Sequence, residues 1–88
     1  MPLPLTMYGA TYCEDTQHVR ERLTAWRIPF SEVNIDHDAA AEQFVIFING
    51  GHRSTPTLVF GDGARKTVLT EPSDLELQQT LHEAGYDR

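Results

Sequence analysis

The side chain best suited to nucleophilic chemistry in this sequence is Cys13, which lies in the stretch TYCEDT at residues 11–16. A strand-like apolar run precedes this stretch and a run with helical periodicity follows it, so Cys13 is predicted at the start of a helix. Unpaired backbone N–H groups and the positive end of the helix dipole stabilise a thiolate there, and the thiolate is the nucleophilic form. The N–H groups of Asp15 and Thr16 and the Thr16 hydroxyl are the expected hydrogen-bond donors.

Two acidic residues, Glu14 and Asp15, follow the cysteine directly. Their charges oppose thiolate formation by repulsion, so we predict a moderately rather than strongly activated Cys13. The alternative is a buried, inert cysteine, which is a frequent state of a free thiol, but the polar neighbours favour a reactive one. Because the 88 residues contain one cysteine, any disulfide must join the chain to a small thiol or to another chain.

The composition is that of an ordinary globular protein, with 40% hydrophobic and 23% charged residues and a length that suits one domain over residues 1–88. The net charge of −6 argues against binding to nucleic acid or to an anionic membrane surface, which both select clustered Lys and Arg. No apolar run approaches the roughly 20 residues that span a bilayer. The first ten residues lack the pattern of a signal peptide, so we expect a cytoplasmic protein.

The hydrophobic pattern of the first half predicts two strands that alternate with two helices. Residues 3–9 are predicted as a strand, and the apolar stripe that follows Cys13 predicts a helix that stops before Pro29. Residues 30–36 alternate as a strand does. Residues 38–49 are predicted as a helix with an apolar face formed by Ala40, Phe44, Phe47 and Ile48.

The second half predicts a hairpin followed by a last helix. Two β-rich runs, residues 57–60 and 66–69, flank the turn sequence GDG, and Ser73 with Glu76 forms a capping-box pattern. The order is therefore β-α-β-α-β-β-α. Because a β-α-β unit is parallel and right-handed and a hairpin is antiparallel, we predict an α/β fold with a mixed four-stranded sheet and helices on both faces.

Four stretches that cover nearly the whole chain resemble the glutaredoxin family, which has the thioredoxin fold: LTMYGATYC, VNIDHDAAAEQFV, NGGHRSTPTLVFGDG and LTEPSDLEL. Within the family the resemblance is closest to mycoredoxin and to short glutaredoxin-like proteins. It implies that Cys13 is the catalytic nucleophile and that Pro56 follows a cis peptide bond. From the residues alone a trans bond is expected, since only about 5–6% of X–Pro bonds are cis.

The resemblance also implies where a small thiol binds. In the family the backbone of the residue before the cis-proline, here Thr55, pairs with a bound thiol or substrate. Ser73 and Asp74 match the start of the last helix, where the small thiol is held. Tyr12 matches the aromatic residue or threonine beside the nucleophile.

Three departures from the family pattern concern the mechanism and the thiol. Thr16 occupies the position of the second cysteine of dithiol members. This implies a monothiol route in which Cys13 is the thiol that reacts, with Cys13 and Thr16 as the catalytic residues. Another is that Glu14-Asp15 replaces the Pro-Tyr, Gly-Tyr or Gly-Phe that is usual after the nucleophile. The remaining departure concerns glutathione: Ala10 replaces the lysine, and residues 70–71 (Thr-Glu) replace the Gly-Gly, of glutathione-using members. These losses favour mycothiol or a similar uncharged thiol over glutathione, although Arg53 could bind one anionic group.

Two other functions remain open from the residues. Some monothiol glutaredoxins bind a [2Fe–2S] cluster between two subunits, but Glu14 and Asp15 would add negative charge beside it. The chain could also be an interaction module with a weakly active cysteine. The four histidines lack ligand spacing with Cys13, so no metal and no permanent cofactor are predicted. The expected partners of a monomer are a small thiol and S-thiolated or disulfide-containing proteins.

Overall fold

A computed structural model describes residues 2–86 of the chain, and the order of its elements is the predicted one. None of the helices in this range is long and apolar enough to cross a membrane. A short 3₁₀ helix, Ile35–His37, also lies between the second strand and the second helix. The main elements are β1 (Leu5–Gly9), α1 (Glu14–Ala25), β2 (Ser31–Asn34), α2 (Ala39–Ile48), β3 (Thr57–Asp62), β4 (Arg65–Thr70) and α3 (Asp74–Glu83).

The four strands form one sheet in the order β2-β1-β3-β4. β1 is parallel to β2, with Gly9 opposite Asn34, and antiparallel to β3, with Met7 opposite Leu58. β3 and β4 form the predicted antiparallel hairpin. The mixed sheet is therefore confirmed. Since β1 and β2 both end at the same edge, the segments that follow Gly9 and Asn34 meet there.

Helices cover both faces of this sheet, as predicted. Side chains alternate along β1: Met7 is buried in the larger core under α1 and α3, while Tyr8 packs in a smaller core under α2. Tyr8 packs against Phe44 of α2, with the ring centroids 5.1 Å apart and the ring planes tilted by 42°. The larger core consists of Leu5, Met7, Val19, Leu23, Ile28, Leu58, Phe60, Leu77, Leu81, Ala84 and Tyr86.

The apolar face predicted for α2 was wrong in part. Ala41 and Val45 are the buried residues of this helix, whereas Ala40 is exposed and Phe47 has 80% of its surface exposed. The sequence AAAEQFVIFI is apolar on nearly every side, so its periodicity does not select one face. Packing against β1 and β2 selects it instead.

Several strand boundaries also differ from the prediction, and two of them have a clear cause. β2 stops at Asn34 because the Asn34 side chain accepts a hydrogen bond from the Asp36 N–H and starts the 3₁₀ helix. The hairpin turn is Gly63–Ala64 rather than the whole GDG, since Asp62 still pairs with Arg65. Gly63 has a φ of 59°, which a two-residue hairpin loop requires and glycine adopts readily.

Candidate active site

Cys13 is the N-cap residue of α1, as the sequence predicted within one residue. Its backbone is extended, with φ −122° and ψ 112°, and its Sγ accepts a hydrogen bond from the Thr16 N–H at 3.4 Å. The side chain is partly exposed. The sulfur therefore occupies the position where a helix leaves its first N–H groups unpaired, and it remains within reach of solvent.

Thr55 lies against the same sulfur from the other side. Its hydroxyl donates to Cys13 Sγ at 3.3 Å, and its carbonyl oxygen lies 3.6 Å from the sulfur. The Thr55–Pro56 peptide bond is cis, as the resemblance implied, and Pro56 is buried. The resemblance assigned only a backbone role to Thr55. Its hydroxyl was missed, and the threonine side chain itself is the signal that could have indicated it.

Hydrogen bonds lower the pKa of the Cys13 thiol below its usual value. Partial burial of the sulfur acts in the opposite direction and raises the pKa. The side chains of Thr16 and Thr55 and the backbone N–H groups of Thr16 and Asp15 together outweigh it. These hydrogen bonds also prevail over the repulsion expected from Glu14 and Asp15, whose carboxylates are not among the groups that shift this pKa. The result is a thiol with increased thiolate character.

Thr16 is fully buried and packs on Gly9 at the end of β1. A Cβ atom built on Gly9 would lie 2.4 Å from Thr16 Cγ2, so no larger residue fits there without a shift. The Thr16 hydroxyl also accepts a hydrogen bond from the Ala10 N–H at 3.4 Å. Packing thus holds Thr16 in place and aims its N–H at the sulfur.

Asp36 connects the two loops that flank the sulfur, and sequence reasoning missed it. Its Oδ2 accepts from the Thr11 N–H at 2.9 Å, and its Oδ1 accepts from Arg53 Nη2 at 2.5 Å. The Asn34 side chain donates to the Thr11 hydroxyl at 2.9 Å. The polar run that follows β2 could have indicated this role, because it leaves the sheet at the same edge as the Cys13 loop.

Replacing Asp36 by asparagine is expected to change stability in acid. Hydrogen bonds from Thr11 and Arg53 lower the Asp36 pKa to about 2, whereas an unfolded aspartate has a pKa of about 3.9. A lowered folded-state pKa contributes stability that is present above about pH 4 and is lost as the pH falls toward 2. Urea unfolding at pH 6 should therefore give a higher unfolding free energy for the wild type than for Asp36→Asn. This difference should shrink as the pH is lowered to 2.

The matched control is Asp62→Asn, which removes the same charge at the β3–β4 turn, away from this network. Its pH profile should follow that of the wild type. If the unfolding free energies of the wild type and Asp36→Asn differ by the same amount from pH 6 to pH 2, the lowered pKa of Asp36 in the folded protein is contradicted.

Arg53 is engaged by two carboxylates. In addition to Asp36, its Nε donates to Glu42 at 2.6 Å, and both acidic partners raise the pKa of its guanidinium. An anionic group would therefore compete with two ion pairs for Arg53. Tyr12, by contrast, is fully exposed beside the nucleophile.

Ser73 and Asp74 make contacts within the protein. The Ser73 hydroxyl accepts from the Glu76 N–H in the predicted capping box. Asp74 accepts from His18 at 2.8 Å and from Arg22 at 3.2 Å, and these α1 residues lower its pKa. Their polar side chains are thus already hydrogen-bonded.

The segment before α3 nevertheless lies beside the Thr55 loop. The Glu71 N–H donates to the Pro56 carbonyl at 2.9 Å. Glu71 has a φ of 47°, a conformation that glycine adopts more readily, and it occupies the place where the resemblance puts glycine. The loop between β4 and α3 therefore borders the site.

An iron–sulfur cluster requires four ligands, and a cluster shared between two subunits would take one thiolate, that of Cys13, from each chain. Within residues 2–86 no three His, Cys, Asp or Glu side chains converge as a metal site would require. The exposed Glu14 and Asp15 also place negative charge beside the thiolate that would bind an anionic cluster.

Solved structures support the fold. The crystal structure of a mutant of the thioredoxin-like protein BC3987 superposes with a TM-score of 0.69 and 26% sequence identity, covering 91% of this chain and 95% of its own. The structural-genomics target XcR50 from X. campestris superposes with a TM-score of 0.65 and 28% identity, covering 91% and 97%. The fold is therefore thioredoxin-like.

Sequence relatives support the family. The family model for glutaredoxin matches residues 5–64, which include Cys13, Thr55 and Pro56. Two sequences from Mycobacterium tuberculosis, "Putative glutaredoxin Rv3198A" from strain H37Rv and "Putative glutaredoxin MT3292" from strain CDC 1551, are each 42% identical over 77 residues, or 88% of both chains. These matches support thiol–disulfide exchange, with thiols and disulfide-containing proteins as partners, as the general chemistry. With one thiol at the N-terminus of α1 beside a cis-proline, the chain belongs to the glutaredoxin family.

Proposed function

We propose that this protein is a monothiol oxidoreductase that reduces mixed disulfides between proteins and a low-molecular-weight thiol through Cys13. The observation that carries the proposal is the environment of Sγ, which accepts hydrogen bonds from the Thr16 N–H and the Thr55 hydroxyl. These donors favour the nucleophilic thiolate. Because the sequence holds no second cysteine, the product of attack must be a mixed disulfide.

Two exchange steps complete the cycle. In the first, the Cys13 thiolate attacks the small-thiol sulfur of the protein mixed disulfide. A new Cys13–small-thiol disulfide forms, the old S–S bond breaks, and the substrate protein leaves as a thiolate. In the second, another small-thiol molecule attacks the small-thiol sulfur on Cys13. The symmetrical small-thiol disulfide leaves, and the Cys13 thiolate is restored. The cycle needs no resident cofactor and no second subunit.

The groove for the small thiol is proposed between the two loops that meet at the sulfur. Thr55 and Pro56 form one wall, and Tyr12 lies exposed at the rim. The start of α3, with Ser73 and Asp74, approaches through the hydrogen bond between Glu71 and Pro56. In this proposal Thr55 has two roles, since its hydroxyl stabilises the free thiolate and its backbone pairs with the bound thiol.

The preferred small thiol is proposed to be mycothiol rather than glutathione. Glutathione carries carboxylates that need cationic partners, and Ala10 supplies none. The nearby guanidinium of Arg53 is already bound to Asp36 and Glu42. A sugar-based thiol without carboxylates instead requires hydrogen-bonding groups, which Thr55 and the α3 loop can offer.

The test is to mix reduced protein with the disulfide form of mycothiol, or separately of glutathione, and to follow intact mass over time at several pH values. We expect one adduct per chain, formed faster than on a free model cysteine, and faster with mycothiol. The pH midpoint of the rate should lie below the ordinary cysteine pKa of about 8.5. Cys13→Ser is the matched control and should form no adduct.

The second stage uses a protein–mycothiol mixed disulfide as substrate, with mycothiol and a reductase for its disulfide. Wild-type protein should restore the substrate thiol catalytically, whereas Cys13→Ser should not. If adducts form no faster than on the model cysteine, the enzyme proposal fails, and the groove beside Cys13 is then better explained as a non-catalytic interaction surface.

A further inference from the structure

The two acidic residues beside the nucleophile carry uncompensated charge. Glu14 and Asp15 are exposed in the first turn of α1, directly after Cys13. In the part of the chain from residue 2 to residue 86, the ion pairs involve other carboxylates, and neither of these two has a cationic side chain within 4.0 Å. Their charges therefore act on whatever approaches the sulfur.

The neighbouring loop does not offset this charge. Its cation, Arg53, is shared by Asp36 and Glu42, so this group of three carries one positive and two negative charges. The same Asp36 binds the Thr11 N–H two residues before Cys13, which places the group at the edge of the site. Two sides of the site are thus negative.

We infer that Glu14 and Asp15 determine the charge class of the substrate, so that Cys13 exchanges preferentially with disulfides whose halves carry no net negative charge. The inference rests on the proposed function and adds a specificity to it. An anionic disulfide must bring its charge within a Debye length, about 8 Å at physiological salt, of two unpaired carboxylates. A neutral or cationic disulfide meets no such repulsion, and a cationic one is attracted.

This role differs from control of the thiolate. The groups that set the Cys13 pKa are its burial and its hydrogen-bond donors on Thr16, Thr55 and Asp15. The Asp15 donor is a backbone N–H, which stays when the carboxylate is neutralised to an amide. The side chains of Glu14 and Asp15 therefore act mainly on the incoming disulfide, and a comparison between disulfides isolates their effect.

The test compares three small disulfides on one protein: cystamine, which is cationic, 2-hydroxyethyl disulfide, which is neutral, and 3,3′-dithiodipropionate, which is anionic. Rates of adduct formation are measured by intact mass. Each rate is divided by the rate at which the same disulfide reacts with N-acetylcysteine amide, an uncharged model thiol. We expect a normalised cationic-to-anionic ratio of about tenfold at low ionic strength, which decreases as salt screens the charges. The cationic and the anionic disulfide react with the same Cys13 thiolate. A change in the Cys13 pKa between protein variants therefore cancels in this ratio.

Two double variants locate the effect. Glu14→Gln/Asp15→Asn should lower the normalised ratio most of the way toward one, and the net negative charge of the group of Arg53, Asp36 and Glu42 accounts for the remainder. Asp62→Asn/Glu83→Gln removes the same formal charge from the opposite end of the sheet, where Gly61 and Ala84 bond to the segment before β1. This control should keep the wild-type ratio.

The outcomes separate the two proposals. A neutral disulfide that reacts no faster with the protein than with the model thiol overturns the proposed function and this inference with it. Fast reaction with all three disulfides at a normalised ratio near one overturns the inference alone. The same holds if Glu14→Gln/Asp15→Asn keeps the full wild-type ratio.

Discussion

Replacing Thr16 by cysteine is expected to convert the single thiol into a pair that forms an internal disulfide. Side chains three residues apart on a helix lie about 5–6 Å apart at Cβ, and a disulfide needs Cβ atoms about 3.5–4.5 Å apart, so a shift of about 1–2 Å at the helix start closes the bond. Thr16 already places its N–H 3.4 Å from the Cys13 sulfur. A thiol at position 16 should therefore attack the mixed disulfide on Cys13 and expel the small thiol.

The expected magnitude is large because the second thiol is held beside the first. Effective concentrations of groups linked at short range are in the millimolar range or far above it. Release of the small thiol from Cys13 should thus be on the order of tenfold faster than with millimolar external thiol. Intact mass and thiol counting after addition of one equivalent of a small disulfide measure both the adduct and the internal disulfide.

Thr16→Ser is the matched control for this change. It alters the same buried position without adding a thiol, so its mixed disulfide should last as long as that of the wild type. An equally long-lived adduct on Thr16→Cys, with one thiol still free, would show that the two sulfur atoms do not meet.

Replacing Gly9 by alanine is expected to destabilise the protein and to disturb the nucleophile together. The added Cβ would lie 2.4 Å from Thr16 Cγ2, and overpacking of this kind costs about 1–3 kcal/mol of unfolding free energy. The φ of Gly9 lies outside the left-handed region, so the substitution tests the contact and not backbone strain. Displacement of Thr16 weakens its hydrogen bond to the sulfur, and the Cys13 pKa should rise toward its ordinary value.

A double-mutant cycle makes this prediction specific. Thr16→Ser removes the Cγ2 atom that the new methyl group would meet, leaving Oγ and Cβ at 3.1 and 3.4 Å in the wild-type geometry. The double variant Gly9→Ala/Thr16→Ser should be more stable than the two single changes predict by addition, by about 0.5–3 kcal/mol. Urea unfolding gives the free energies, and the pH dependence of Cys13 alkylation gives the thiol titration. Additive free energies would mean that the two residues do not contact each other.

The sequence by itself determined the order of the elements and the position of Cys13. Capping residues, turn residues and hydrophobic periodicity are local signals, and each element carried at least one of them. The capping box of Ser73 and Glu76 and the start of α1 after Cys13 were predicted for this reason. The exposed Phe47 shows where a local signal fails, because a helix that is apolar on nearly every side does not reveal which side is buried.

The tertiary structure decided which groups contact the sulfur. Thr55 lies 42 residues from Cys13 in the chain, and Asp36 lies 25 residues from the Thr11 N–H that it binds. The order of strands β2, β1 and β3 brings these loops together at one edge of the sheet. Hydrogen bonds depend on distances of tenths of an ångström. Such distances arise only when the strands pair in register and the helices pack, so no local pattern in the sequence reveals them.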